Sequence, residues 1–539
     1  MFKRIPNFLL VVFLALALAL VQCAKKGMPE GGPEDEEPPK FVKANPENFS
    51  TNFKSDEIRI YFNEYIKLNK PQEQIIISPP MDPKPTILPL GSARKDIRIE
   101  IFDTLQENTT YTINFGKSIV DNNEGNELDY FKYVFSTGDY LDSLSVTGTV
   151  NDASLKELAE PVSIFLYEID STYSDSIVYK ENPRYVTYSK DSIFTFELEN
   201  LKAGTYKMVA IQDKNANYKF NPNSEKIGFI ESPISLPTDT SYHITLFKEE
   251  LEFSVKRPKL LKGNQILFGY EGVADLDSLE INILNPKPED FRARIVKDPK
   301  TDTLYYWYNQ KPESDSLSFE IVSPIKRDTL FTKISELERD TLKVTTEPSG
   351  TIEFNQVFKF RANTPLVQSN PDLIRILNKD SVEVNFSAEL FPIKNELQLQ
   401  FEKEENNTYK VLALPGALTD LFGKTNDTIN QQISTKPYSE YGSVVLRLQN
   451  VNRFPIIAQL TNLEGEVQAE KFSENKTSFN FRFLKPAKYL VRLIIDDNGN
   501  QKWDTGNYLE KRQPEKIFYH RDTLEVRSNW DLNESFILK

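Results

Sequence analysis

Cysteine occurs once in these 539 residues, at position 23, and histidine twice, at 243 and 520. One thiol allows no intramolecular disulfide and no multi-cysteine metal centre. Two histidines rule out a histidine-rich zinc site. They also leave little for catalysis that needs an imidazole base. His243 lies in the strand-like Tyr242-His243-Ile244-Thr245-Leu246, and neither histidine has a Gly-x-Ser-x-Gly turn in reach. Glycine is scarce at 20 residues and forms no phosphate loop or dinucleotide fingerprint. Basic residues are outnumbered, 65 against 79 acids, and a net charge of −14 argues against nucleic acid as a partner. The 79 carboxylates single out no glycosidase pair. The expectation is a protein without catalytic activity.

Long apolar runs are also few. Phe8 to Val21 is one, but its 14 residues fall short of the roughly 20 that a membrane span needs. Lys3 and Arg4 precede it, and Leu20-Val21-Gln22-Cys23 follows. The stretch resembles a lipoprotein signal peptide, with residues 1–22 as the signal and Cys23 as the acylated first residue of the mature chain. Gln22 departs from the small residue usual before such a cysteine. Residues 23–39 are rich in Pro, Gly and acid, cannot bury a core, and read as a flexible tether. The resemblance implies a bacterial cell envelope, the outer membrane first, with a lipid anchor. Lys25 and Lys26 come before the acids Glu34 to Glu37, so the periplasmic and surface faces both stay open.

What the chain does have is large aromatics, 36 Phe and 24 Tyr, and 32 Pro with frequent Asp, Ser and Thr. The first build cores and the second punctuate them with turns. Ile58 to Phe62, Ser381 to Phe386, Phe194 to Leu198 and Leu397 to Phe401 alternate apolar and polar residues, the period of a half-buried strand. The fold class expected is all-β, with several sandwiches in series.

Those sandwiches recur. Phe196-x-Leu198-x-x-Leu201-x-x-Gly204-x-Tyr206 aligns with Phe479-x-Phe481-x-x-Leu484-x-x-Ala487-x-Tyr489, and the same 283-residue offset holds to Asn217 and Asn500. Before each copy lies another related pair. Asp56 to Phe62 matches Asp380 to Phe386, Glu107 to Tyr111 matches Glu405 to Tyr409, and Ser136-Thr137 matches Ser434-Thr435. The layout is A, B, a middle segment, A′, B′. Residues 40–138 resemble the bacterial Ig-like domain named after the S-layer protein SbsA. The likeness rests on Asn45-Pro46, the strand Ile58 to Phe62, Thr110-Tyr111, Asp121-Asn122-Asn123 and Phe135-Ser136-Thr137. Residues 346–437 are a degenerate second copy without the Asn-Pro opening or the Asp-Asn-Asn turn. Residues 139–250 and 438–539 resemble prealbumin-type, carboxypeptidase-regulatory-like sandwiches, on Val146 to Val150 and on Leu201-x-x-Gly204-x-Tyr206. Residues 251–345 read as a further β domain.

Three motifs are candidate sites. Asp213, Asn215 and Asn217 alternate, as do Asp496, Asn498 and Asn500, with Asn221 and Asp504 next and Glu225 and Glu510 beyond. Alternate oxygens suit Ca²⁺, the one cofactor the sequence suggests. Tyr218 or Gln501 stands where an EF-hand requires Gly, which excludes that loop, and an Asx-rich turn explains the same letters. Asp-Ser/Thr-apolar triplets recur, among them Asp103-Thr104-Leu105 and Asp522-Thr523-Leu524. They resemble a sequon for O-glycosylation of exported bacterial proteins and equally fit a turn that leads into a strand. Tyr305 and Trp307 share one face of a strand, as a sugar platform or as packing, while Tyr306 and Tyr308 face the other way. The expected role is a structural scaffold or interaction module with other envelope proteins or glycans as partners. The alternative is a carbohydrate- or calcium-binding adhesin.

Overall fold

The computed structural model describes residues 35–158, 160–190, 194–273, 276, 278–324 and 326–538. The signal segment, Cys23, Lys25, Lys26 and most of the tether lie outside the described residues, as do Asp191-Ser192-Ile193 and Asp277. Among the described residues the helical pieces are a four-residue turn at Pro71–Gln74 and 3₁₀ turns at Asp175–Tyr179, Pro371–Leu373 and Tyr438–Glu440. None is long and apolar enough to cross a membrane. The protein is all-β. It divides into two compact units, Met1–Leu144 with Glu199–Lys202, and Ser145–Leu198 with Ala203–Lys539.

The first unit holds one sandwich. One sheet runs Phe41–Asn45, Glu57–Leu68, Arg94–Glu100, Thr86–Leu88, with Ile119–Asp121 added on Glu57–Leu68. The other runs Ile76–Ser78, Thr110–Asn114, Lys132–Ser136. Ile58, Ile60, Phe62, Ile97 and Ile99 point inward at period two against Tyr111, Ile113, Phe115 and Phe135. Each such side chain, fully buried, contributes about 1.5–3 kcal/mol. A polar clamp closes the end of this sandwich. The Gln106 N–H donates to the Tyr111 hydroxyl (2.9 Å), the Thr109 N–H to Thr137 Oγ1 (3.0 Å), and the Thr137 hydroxyl to the Gln106 carbonyl (2.6 Å).

The second unit holds four sandwiches. In B, one sheet is Tyr185–Tyr188, Ser163–Glu168, Gly204–Ile211, Ile227–Phe229, with Ile234–Leu236 also on Gly204–Ile211. The other sheet is Thr195–Leu201, Leu144–Asp152, Ser241–Leu246, and its last two strands run parallel. B′ repeats this arrangement. Val467–Ser473, Ile456–Thr461, Ala487–Ile495 and Ile517–Tyr519 form one sheet, with Leu524–Val526 also on Ala487–Ile495. Ser478–Leu484, Gly442–Gln449 and Asp531–Ile537 form the other, again with a parallel last pair. Phe196, Leu198, Leu201 and Tyr206 are buried, and so are Phe479, Phe481, Leu484 and Tyr489. The middle sandwich pairs Ser254–Val255, Gln265–Glu271, Thr303–Tyr308, Ala293–Lys297 with Glu280–Ile283, Ser316–Val322, Arg327–Lys333. Tyr306 and Tyr308 lie in its core.

A′ corrects one alignment drawn from sequence. Its sheet is Val344–Glu347, Phe358–Ala362, Glu396–Phe401, Phe386–Phe391. Phe360 faces Leu397 as Ile60 faces Ile97. The counterpart of Ile58 to Phe62 is therefore Phe358–Ala362, not Ser381 to Phe386. Phe386–Phe391 is an edge strand like Thr86–Leu88. The alternation before it misled because Ser381 (φ 62°) and Val382 sit in an exposed hairpin capped by Asn378, whose Oδ1 accepts the Asp380 and Val382 N–H groups at 3.0 and 2.9 Å. The other matches share their hydrogen bonds. The Glu404 N–H donates to the Tyr409 hydroxyl (2.7 Å), and the Asn407 N–H to Thr435 Oγ1 (3.1 Å). A′ also keeps the two features missing from its letters. Glu347-Pro348 is cis like Asn45-Pro46. Asp420 accepts the Phe422 and Lys424 N–H groups (2.9 and 2.8 Å), as Asp121 accepts those from Asn123 to Asn126.

Candidate functional site

The Asp-x-Asn-x-Asn loops follow the central strands Gly204–Ile211 and Ala487–Ile495. In B, the Asp213 carboxylate accepts the Asn217 and Tyr218 N–H groups at 3.3 and 2.8 Å. Asn217 and Asn221 turn their side-chain oxygens back to Lys219 and Asn223. Glu225, wholly buried, accepts from the Lys214 N–H, the Asn215 amide and the Asn221 N–H at 3.2, 3.2 and 2.8 Å. In B′, buried Asp496 accepts the Gly499, Asn500 and Gln501 N–H groups at 2.8, 3.2 and 2.9 Å. The Asn498 and Asn500 amides both donate to Asp504 Oδ2, at 2.5 and 2.8 Å.

The carboxylate behind the second loop is Glu515, not Glu510. Glu515 accepts the Asp497 and Asp504 N–H groups at 2.7 and 3.0 Å, while exposed Glu510 pairs with Arg512. Position alone suggested Glu510; the loop from Asn500 to Glu515 is seven residues longer than that from Asn217 to Glu225, and this hid the match. The sixth position is left-handed in both copies, Tyr218 at φ 60° and Gln501 at φ 63°. The turn that an EF-hand assigns to Gly is thus made without it. Burial raises the Glu225 carboxyl, helped by Asp213 and opposed by backbone N–H donors. Burial likewise raises Glu515, with Asp504 and Asp496 adding to it. Among the described residues no three acidic or histidine side chains form a metal cluster. What these loops hold in this structure is their own backbone.

The other sequence candidates sort clearly. Trp307 offers no sugar platform: it is 2% exposed and packs with Val296, Leu421 and Phe422, its ring 6.2 Å from that of Phe422. Tyr305 lies beside it, its hydroxyl donating to Asp298 at 3.0 Å. In the Asp-Ser/Thr-apolar triplets Thr104, Thr329, Thr341 and Thr523 are exposed, and Leu304, Leu317 and Leu524 begin buried strands. His243 bonds the Thr149 hydroxyl (2.8 Å), and His520 sits against the Asp522 backbone.

Sequence reasoning missed three aromatic joints inside the second unit, two buried and one half-buried. Between the middle sandwich and A′, Leu421 and Phe422 cover Trp307, with the Arg339 guanidinium 4.1 Å from the Phe422 ring centre. Between A′ and B′, Phe354 meets Tyr438, Tyr441 and Phe483 at 4.9, 5.4 and 4.6 Å. There Glu353 accepts from the Tyr441 hydroxyl (2.6 Å) and pairs with Lys485 (3.0 Å). Burial opposes its charge, yet those two partners hold its carboxyl below the usual range.

The third joint brings B′ back to B. Tyr508, 1% exposed, packs edge-on against Phe229 with ring centres 5.3 Å apart. Buried Lys207 lies 5.1 Å from the Phe229 ring and 5.9 Å from that of Tyr508, and donates to the Ile230 and Glu231 carbonyls (2.8 and 2.9 Å). Burial lowers its ammonium below the ordinary lysine value. The Tyr508 N–H donates to Glu249 (2.6 Å), and the Thr505 hydroxyl to the Lys248 carbonyl (2.7 Å).

With this geometry in view, residues 35–137 match the family model described as a bacterial Ig-like domain. No curated protein matches the chain. Among solved structures, surface layer protein SbsC, domains 1–6, is similar at 12% identity, covering 87% of this chain and 67% of that one, with a TM-score of 0.15. The TIE protein of Bacillus anthracis shares 12% identity over 98% of this chain and 78% of its own, at a TM-score of 0.14. The Escherichia coli adhesin FdeC shares 7% over 61% and 93%, at 0.15.

Proposed function

We propose that this chain is a non-enzymatic scaffold or interaction protein of a bacterial cell envelope, held to the outer membrane by a lipid on Cys23. Its partners are other envelope proteins or glycans. One observation carries the scaffold reading: the sandwiches of the second unit are joined through aromatic contacts, buried at Trp307 and Tyr508 and half-buried at Phe354. Packed joints of this kind make a stiff spacer, where polar linkers would make a flexible string. The bacterial Ig-like match over residues 35–137 supports an envelope setting.

The anchor is tested by growing cells with an alkyne-tagged fatty acid. Native protein should take the label, and Cys23→Ser should lose it and move to the soluble fraction. Label retained by the variant rules out anchoring at Cys23.

A second reading, a calcium-binding adhesin, has one observation in its favour. In B′ the Asn498 and Asn500 amides both converge on Asp504, beside buried Asp496. Turning those amides over would present oxygens to a divalent cation at that point. The B loop offers Asn221 in place of Asp504 and is the poorer candidate for its Asp213, Asn215 and Asn217. Isothermal titration of the full chain with CaCl₂ should then show uptake that Asp504→Asn weakens. Absence of uptake rules this reading out.

A further inference from the structure

The middle sandwich is open along one side. Glu280–Ile283 is the outermost strand of one of its sheets and Ala293–Lys297 the outermost of the other. Between these two edges lies a groove of about 570 Å³, lined by Leu279, Ile281, Ile283, Phe291, Ile295 and Tyr306. That is the size range of sites that take a ligand. Leu279, Ile281, Ile283 and Tyr306 belong to the buried hydrophobic core, and half-buried Phe291 and Ile295 pack against it at the groove.

Two features say what fits. The first is the free edge. The Lys297 N–H already donates outward, to the Ile393 carbonyl of the neighbouring A′ loop at 2.8 Å. In antiparallel alternation the N–H and C=O of Ile295 and the N–H of Ala293 point the same way, towards a further strand, while the Ala293 carbonyl accepts from the Arg294 guanidinium at 3.1 Å. Pro392 and Ile393 close that end of the groove and fix where such a strand would begin. The second feature is charge. Among the described residues the charged side chains lining the groove are Lys287 and Arg294, both exposed and both basic, in a protein of net charge −14.

We propose that this groove is a docking site for an extended segment of a partner protein, added as a strand on Ala293–Lys297. Its apolar residues, at alternate positions, enter between the sheets, and carboxylates between them meet Lys287 and Arg294. Main-chain hydrogen bonds then supply affinity, and the two cations supply the preference for an acidic segment. The site does not depend on the membrane anchor.

The test uses the full chain and a fluorescein-labelled peptide alternating Glu with Val, read by fluorescence anisotropy. Saturable binding is expected. A Lys/Val peptide should bind about tenfold more weakly, since like charges then meet at the rim. A Glu/Val peptide with a central Pro should also lose about tenfold, because Pro cannot donate to the edge. Arg294→Glu with Lys287→Glu, both on exposed side chains, should reverse the preference between the Glu and Lys peptides. No saturable binding, or equal binding by the Pro peptide, overturns the proposal. So does displacement by sodium dodecanoate at concentrations below those of unlabelled peptide, which would make the groove an acyl-chain site.

Discussion

The loops after Asp213 and Asp496 begin as the same device and end with different work. Up to Asn217 and Asn500 they share register, left-handed positions and an aspartate that accepts backbone N–H groups. Beyond that point the B loop turns home, and Tyr218 and Phe220 pack on Phe165 and Tyr179 of their own sandwich. The B′ loop is seven residues longer and sends Tyr508 into the other sandwich. A and A′ differ in the same manner. Asp121 heads a polar turn whose Asn123 and Glu124 are exposed, while Asp420 heads one whose Leu421 is buried against Trp307. In both pairs the aspartate-clamped turn is constant, and past the clamp the A′ and B′ turns each carry an apolar side chain into a neighbouring sandwich. Duplication supplied the frame, and loop content supplied the joints.

The widest test of this contrast removes one ring from each loop. Tyr508→Ala should cost about 3–5 kcal/mol. By calorimetry it should separate a B transition from the rest of the second unit, because the ring belongs to both sandwiches. Tyr218→Ala should cost a similar amount without separating anything. An unsplit transition at unchanged Tm in Tyr508→Ala would remove the joint from the account.

Two glycines of the longer loop give a sharper, smaller contrast. A Cβ on Gly506 would meet the Phe247 ring at 2.7 Å and the Arg512 carbonyl at 2.8 Å, so Gly506→Ala should cost about 1–3 kcal/mol and loosen the joint. Gly499, at φ 74°, stands where B has Ala216 at φ 50°, in open space apart from Pro455 at 3.8 Å. Gly499→Ala should cost only about 1 kcal/mol and leave docking intact. If chemical denaturation ranks the two in the reverse order, docking is not what constrains Gly506.

The smallest effect is one of pH. Burial raises the Glu515 carboxyl, so the folded chain keeps a proton that the unfolded chain releases. Its contribution is therefore most favourable below the unfolded carboxylate value and is lost as pH rises through the raised folded one. Replacing it by Glu515→Gln should flatten that part of the Tm–pH profile relative to native protein, and Glu225→Gln should do the same in B. Superimposable profiles would mean that both carboxyls titrate normally.

Much of this architecture was legible because it rests on local periodicity. Ile58 to Phe62 alternates and buries every second residue. Phe196, Leu201 and Tyr206 are spaced to fill one core, and their copy at Phe479 to Tyr489 fills another. Periodicity also misled, since Ser381 to Phe386 alternates as one strand does yet runs from a hairpin turn at Ser381 and Val382 into the start of an edge strand at Phe386, and only its pairing partners tell the two apart. The groups around the loops were half legible. The aspartates and asparagines were plain, but Glu515 was hidden by a length change that nothing in the local letters marks.

By itself the sequence determined the strands, the duplicated order of modules and the absence of thiol chemistry beyond Cys23, because each depends on residue type and spacing along the chain. Only tertiary structure decided that Trp307 is a joint instead of a platform, that Tyr508 belongs to a sandwich far from it in the chain, and that the middle sandwich has an open edge. Those are matters of which surfaces meet. A meeting between residues hundreds of positions apart is fixed by shape and burial, which no local pattern encodes.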